Sequence, residues 1–314
     1  MRGLKVIHIL LLFCIGMIAL SGCRKPESGT LRIAVLPILD TLPLYVAEIE
    51  GYFAAQGITV DLIPAAAAAE RDQLLQAGQI DGFITDLVAL ALYNRDTTQV
   101  VAVRYAMVPT ANFAQFRILA AAQSGITTVE GLRDVPVGVS EGTVIEYVTH
   151  RLLEAAGLPT DEIATLAVPK IPDRMALLGA GELSAATLPE PLASLAMQQG
   201  AIVITDDTAH PEISCSVYAF HKDVIDQHPQ TVRAFLAAID EASDAINGDK
   251  SRWSDLLADK GLVPAPLAGA YILPDYPANA VPTEAQFANA VSWLQATGRL
   301  TATPMYKDSV DGKQ

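Results

Sequence analysis

Basic residues are scarce in this chain. Lys and Arg together number 21 against 35 Asp and Glu, a formal net charge of −14. Nucleic-acid phosphates are held by clustered Lys and Arg, so this balance excludes a nucleic-acid partner and favours solubility. Charged residues of both signs make up 18%, below the usual share of about 25%. Cysteine is scarcer still. Cys14 lies in an N-terminal apolar run and Cys23 at its end, so only Cys215 belongs to the folded part and no internal disulfide is expected. A lone Cys in an apolar strand reads as inert core rather than a nucleophile. The histidines His8, His150, His210, His221 and His228 share no metal-ligand spacing. There is no P-loop and no Gly-x-Ser-x-Gly elbow. Gly179-Ala180-Gly181 begins like a dinucleotide fingerprint, but Ser184 stands at the third glycine and a helix precedes it. No metal, cofactor or catalytic residue is therefore expected.

One long apolar run is present. Val6–Leu20 is interrupted only by His8 and follows Arg2 and Lys5. That is the pattern of a signal-peptide core, too short to span a bilayer comfortably. It ends in Leu20-Ser21-Gly22-Cys23, which resembles a bacterial lipobox, where the cysteine becomes the N-terminus and carries lipid through a thioether. Residues 1–22 are expected to be a lipoprotein signal peptide, Cys23 the lipidated residue and residues 23–30 a tether. The chain would then be extracytoplasmic, anchored to a bacterial membrane. The alternative is an ordinary cleaved signal.

The remainder is long enough for two ordinary domains. Its organising stretch is Leu31–Ile63. Leu31–Leu36 suits a buried strand, Pro37 ends it, and Ile38–Leu42 is a loop. Pro43 fits the first turn of a helix that Gly51 stops, and Ile58–Ile63 is a second strand. This βαβ unit places Ile38–Leu42 at the carboxyl edge of a parallel sheet, where open α/β sheets bind ligands. Further strands are expected at 82–85, 100–105, 116–123, 136–139, 163–168, 184–188, 201–205 and 213–221. Asp86 can cap a helix over 87–93, Val144–Ala156 is helical, and 229–246 is a long amphipathic helix. Thr283 with Gln286 forms a capping-box pattern for a last helix.

The opening strand, the Leu42-Pro-Leu-Tyr-Val-Ala helix, Gly51-Tyr-Phe and Gly57-Ile-Thr-Val resemble the start of one group of periplasmic solute-binding proteins. That group serves ABC importers of sulfonates, nitrate, taurine and thiamine-type pyrimidines. Gly138-Val-Ser-Glu-Gly-Thr, Leu177-Leu-Gly-Ala-Gly-Glu-Leu-Ser-Ala-Ala, Pro189-Glu-Pro and His228-Pro229 extend the likeness over almost the whole mature chain. The resemblance implies a type 2 periplasmic binding protein fold: two doubly wound α/β lobes, two crossovers and a ligand cleft between them. Lobe 1 would comprise residues 31–124 plus 210–314, and lobe 2 residues 125–209, with Phe116–Gln123 as the exit from lobe 1. It also implies a small-molecule ligand captured by hinge closure, an ABC permease with its ATPase as partners, and a monomer. An enzyme of pyrimidine synthesis shares the fold and uses pyridoxal phosphate in the cytoplasm; the signal pattern and Cys23 argue against that reading. A sensing or scaffolding lipoprotein is the other alternative.

The expected ligand-binding residues lie in loops at strand ends. Lobe 1 supplies Leu39, Asp40 and Tyr45, then Thr85 and Asp86, then Arg104. Lobe 2 supplies Ser140, Glu141, Gly142 and Thr143, then Pro189 and Glu190. Ser140–Thr143 precedes a helix, whose N-terminus offers N–H donors. Tyr45 can equally be helix packing, Asp86 only a cap, and Arg104 an internal ion-pair partner. Four carboxylates, Asp40, Asp86, Glu141 and Glu190, face one base, Arg104, in this reading. Carboxylates suit amines and the N–H edges of heterocycles better than a sulfonate or nitrate. An amine-bearing or heterocyclic ligand is therefore expected, with a small anion as the alternative.

Overall fold

The computed structural model describes residues 29–314. The expected signal peptide, Cys23 and nearly all of the tether lie outside the described residues. Among the described residues, no helix is long and apolar enough to cross a membrane.

Among the described residues, ten strands form two sheets of five. They are β1 (Thr30–Val35), β2 (Thr59–Pro64), β3 (Gly82–Asp86), β4 (Val100–Met107), β5 (Phe116–Ala120), β6 (Val137–Val139), β7 (Thr165–Ala167), β8 (Ala185–Pro189), β9 (Ile202–Asp206) and β10 (Ser216–His221). The first sheet runs β2-β1-β3-β10-β4 and the second β7-β6-β8-β5-β9. Each is parallel except for one strand: β10 is antiparallel to β3 and β4, and β5 to β8 and β9.

The two exceptions have one cause. The chain leaves lobe 1 at the carboxyl end of β4 and enters lobe 2 at the facing carboxyl edge, so β5 must run back down its sheet. The return from β9 to β10 repeats this in the other direction. The crossovers are residues 108–115 and 207–215. This corrects the expected boundary at Ser124. Phe116–Ala120 is not an exit strand of lobe 1 but a central strand of lobe 2, paired with β8 and β9. An isolated apolar strand carries no local mark of the sheet it will join, because pairing partners are distant in sequence.

Local signals behave as their chemistry requires. The helix Leu42–Ile49 has Pro43 in its first turn, and Gly51 beyond its end takes the left-handed conformation at φ 76°. Asp86 caps Leu87–Tyr93 by accepting from the Ala89 N–H at 2.9 Å. Thr283 and Gln286 close a reciprocal capping box on the helix Glu284–Ala296.

The long helix Pro229–Gly248 packs its apolar stripe on the first sheet. Phe235 sits at the centre, stacked on Phe53 at 5.6 Å and edge-on to Phe220 at 5.2 Å. A second apolar cluster joins the lobes. The helix Glu284–Ala296 touches Leu87–Tyr93 of lobe 1, and its Trp293 meets Tyr147 of the lobe 2 helix Val144–Ala155 at 5.5 Å. Both rings are buried. The lobes are thus in contact on this flank, and the carboxyl edges of both sheets face each other.

Candidate functional site

The carboxyl ends of β1, β3, β6 and β8 and the start of β10 supply the groups between the lobes. Asp40 follows β1 in a short 3-10 turn, buried, and accepts from the Ser216 hydroxyl at the start of β10. Burial raises its pKa, and the Ser216 hydrogen bond partly opposes that. Its charge is felt by Tyr218, Tyr271 and Tyr276, whose phenols burial pushes well up. The Tyr218 hydroxyl has no partner among the described residues, and Tyr276 donates to the Leu39 carbonyl at 2.8 Å. Leu39 itself is buried in the core. Thr85, next to the end of β3, is buried, and its hydroxyl has no partner among the described residues. Its neighbour Asp86 is raised in pKa by burial, against the Ala89 N–H that it caps.

Glu190 joins three elements. It follows β8, is buried, and accepts from Arg117 Nε at 2.8 Å, Ser194 Oγ at 2.6 Å and the Tyr271 hydroxyl at 3.2 Å. Arg117 also binds Asp206 at 2.7 Å. Tyr271 belongs to the C-terminal segment that packs on lobe 1, so its bond to Glu190 crosses between the lobes. Beside it, Asp207 ties the two crossovers together. Its carboxylate accepts from the Gln115 and Phe116 N–H groups at 2.9 and 3.0 Å, and from the Ser214 hydroxyl. Burial raises its pKa to about 6, with those three hydrogen bonds opposing.

The other expected site residues fall elsewhere or are already engaged. Arg104 is neutralised inside lobe 1, where Asp240 lies at 3.3 Å and Asn279 accepts at 2.8 Å. It is therefore not a free base of the site. Tyr45 carries the Lys260 ammonium over its ring at 4.4 Å and packs on the lobe 1 core, the packing role open from the sequence. Glu141 is exposed, with Arg299 at 3.4 Å, and is not part of the buried group. Gly142 takes φ 75° and donates its N–H to Glu146 at 2.6 Å. Thr143 caps the helix Val144–Ala155 and donates to the Ser140 carbonyl at 2.7 Å. Ser140 is buried, donates to the Pro169 carbonyl and accepts from Arg174, both at 2.9 Å. Pro189 ends β8 opposite Phe116.

Sequence reasoning missed Arg117, Arg174, Asp207, Ser216 and Tyr271. Arg174 alone left a trace: with Leu178 it shares the buried stripe of the helix Ile171–Ala180, an unusual place for a charge. Cys215 is buried, and burial together with the Asp86 charge pushes its thiol well up. A thiol held protonated is a poor nucleophile. Among the described residues, no cluster of His, Cys, Asp and Glu has the form of a metal site.

Comparison with known proteins agrees with this architecture. The sequence profile of the NMT1-like family matches residues 24–258. The periplasmic aliphatic sulphonate binding protein SsuA from Escherichia coli superposes with a TM-score of 0.75 at 21% identity, covering 91% of this chain and 94% of its own. The periplasmic nitrate-binding protein NrtA from Synechocystis PCC 6803 gives 0.69 at 16% identity, covering 92% and 88%. The desulfurization enzyme DSZB gives 0.64 at 16% identity, covering 89% and 96%. No curated protein sequence matches the chain.

Proposed function

From a chain that belongs to the NMT1-like family and has the two-lobed periplasmic binding protein fold, we propose a solute-binding component of an ABC importer. It acts outside the cytoplasm, is tethered through lipid on Cys23, and presents its ligand-closed form to a membrane permease. One observation carries this reading. A buried acidic group is assembled from both lobes and closed by a hydrogen bond between them, Tyr271 to Glu190 at 3.2 Å. A ligand that bridges the lobes favours the closed form by its differential affinity for it.

The ligand class follows from the uncompensated charges. Arg117 is shared between Glu190 and Asp206, whereas Asp40 has hydrogen-bond donors but no ion-pair partner among the described residues. An amine or a protonatable ring nitrogen against Asp40 supplies the positive partner that this buried carboxyl lacks.

Native mass spectrometry of Arg24–Gln314, purified from its source without dialysis, tests the proposal. A co-purifying nitrogenous compound supports it, and a bound sulfonate lacking nitrogen overturns the ligand class.

A further inference from the structure

Arg174 is the only arginine among the buried residues of the described chain that forms no ion pair. Arg71 has Asp72 and Arg104 has Asp240. Arg174 is fully buried at 0% exposure. Its guanidinium donates through Nη1 to Ser140 Oγ at 2.9 Å and to the Val168 carbonyl at 3.0 Å. Nε and Nη2 have no partner among the described residues. Burial lowers its pKa to about 10, and no carboxylate offsets that effect. An isolated buried charge is costly, and a purely structural arginine is normally paired.

The surroundings make room for this group. Arg174 runs past Gly138 of β6, where a Cβ would meet Leu183 at 2.9 Å and the Arg174 Cγ and Cδ at 3.3 Å. The head group therefore ends at the carboxyl edge of the second sheet, against the loop that starts the helix Val144–Ala155. That helix N-terminus adds its own partial positive charge. The acids here are both engaged by Arg299, Glu141 of the loop at 3.4 Å and Glu146 of the first helical turn at 3.0 Å, and Glu146 also accepts from the Gly142 N–H. Ser140 and Val168, the two residues that Arg174 holds, lie just beyond the carboxyl ends of β6 and β7, the edge of the second sheet that faces lobe 1.

We propose that Arg174, with Ser140 and the first turn of Val144–Ala155, is the counter-charge for an oxyanion of the ligand, which is therefore dipolar. Its nitrogen end lies against Asp40 and its carboxylate, sulfonate or phosphate end against Arg174. The dipolar class rests on the amine reading above; the oxyanion site stands without it.

Thermal melting with two one-ended probes tests both ends separately. Methanesulfonate, compared with chloride at equal ionic strength, is expected to raise the melting temperature of the wild type saturably, by about 2–4 °C at tenfold excess over its Kd. Arg174→Met is expected to abolish that response while melting, free of anion, at or above the wild-type temperature, because it removes an uncompensated buried charge. Arg174→Lys should restore part of the response. Methylammonium should stabilise the wild type and Arg174→Met alike, and fail on Asp40→Asn. If methanesulfonate has no effect, or acts equally on Arg174→Met, the oxyanion site is wrong whatever methylammonium does. If Arg174→Met melts several degrees lower and the wild type ignores methanesulfonate, Arg174 is structural and the proposal falls. If methanesulfonate acts through Arg174 but methylammonium does nothing, the oxyanion site holds and the amine reading, with the dipolar class, is overturned.

Discussion

Replacing Tyr271 by Phe removes one oxygen and tests the interlobe latch. The hydroxyl donates to Glu190 Oε2 at 3.2 Å, across the junction. Glu190 keeps Arg117 at 2.8 Å and Ser194 at 2.6 Å, so no buried charge is left alone and each lobe should fold as before. A hydrogen bond to a carboxylate contributes about 1.5–3 kcal/mol, and the long distance points to the lower figure. About 1.5 kcal/mol shifts the open–closed equilibrium roughly tenfold toward open. A ligand that binds the closed form then loses up to the same factor in apparent affinity. Small-angle scattering of the ligand-free variant should show a larger radius of gyration. Calorimetry with the co-purified ligand should show weaker binding, with urea unfolding little changed. Wild-type scattering together with wild-type affinity would refute the latch.

Four further outcomes follow from the structure. Glu190→Gln should cost about 2 kcal/mol in urea unfolding and at least tenfold in ligand affinity, since it breaks a buried pair while Arg117 retains Asp206. Glu141→Gln, at an exposed position, should change neither stability by more than about 0.5 kcal/mol nor binding; equal effects from both would show that burial is the wrong criterion. Phe235→Ala should destabilise by about 3–5 kcal/mol in urea titration, because the side chain is fully buried between three aromatic rings; a loss below about 1 kcal/mol would mean that the site collapses around the void. Asp207 has a folded pKa of about 6 against an unfolded value of about 3.9, so the native state binds the extra proton between those values. Its contribution to stability is therefore most favourable below about pH 4 and falls as pH rises through 6. Melting scans of wild type and Asp207→Asn from pH 4.5 to 7.5 should show this as a difference in slope, of order 3 kcal/mol at most over the full window; parallel curves would contradict it.

Much of the fold was legible because the signals were local. The Pro43 helix start, the Asp86 cap and the Thr283–Gln286 box each depend on groups within four residues of one another, so short-range chemistry suffices to place them. The alternation of strands and helices follows in the same way from apolar runs and their stops. The site was less legible. The expected charge balance counted Glu190 and Glu141 as free acids and Arg104 as the free base. Glu190 is in fact paired with Arg117, 73 residues away, which it shares with Asp206, and Arg104 pairs with Asp240 on the long helix.

The sequence by itself determined the fold class, most element positions and the strand-end loops that bear Asp40, Asp86, Ser140 and Glu190. Those features arise from contacts within one turn or one strand, which the order of residues specifies directly. Only the tertiary structure decided that Phe116–Ala120 belongs to lobe 2, that Tyr271 closes on Glu190, and that Arg174 is buried without a counter-ion. Each depends on which distant surfaces meet, and a charge's worth is set by its neighbours in space rather than by its place in the chain.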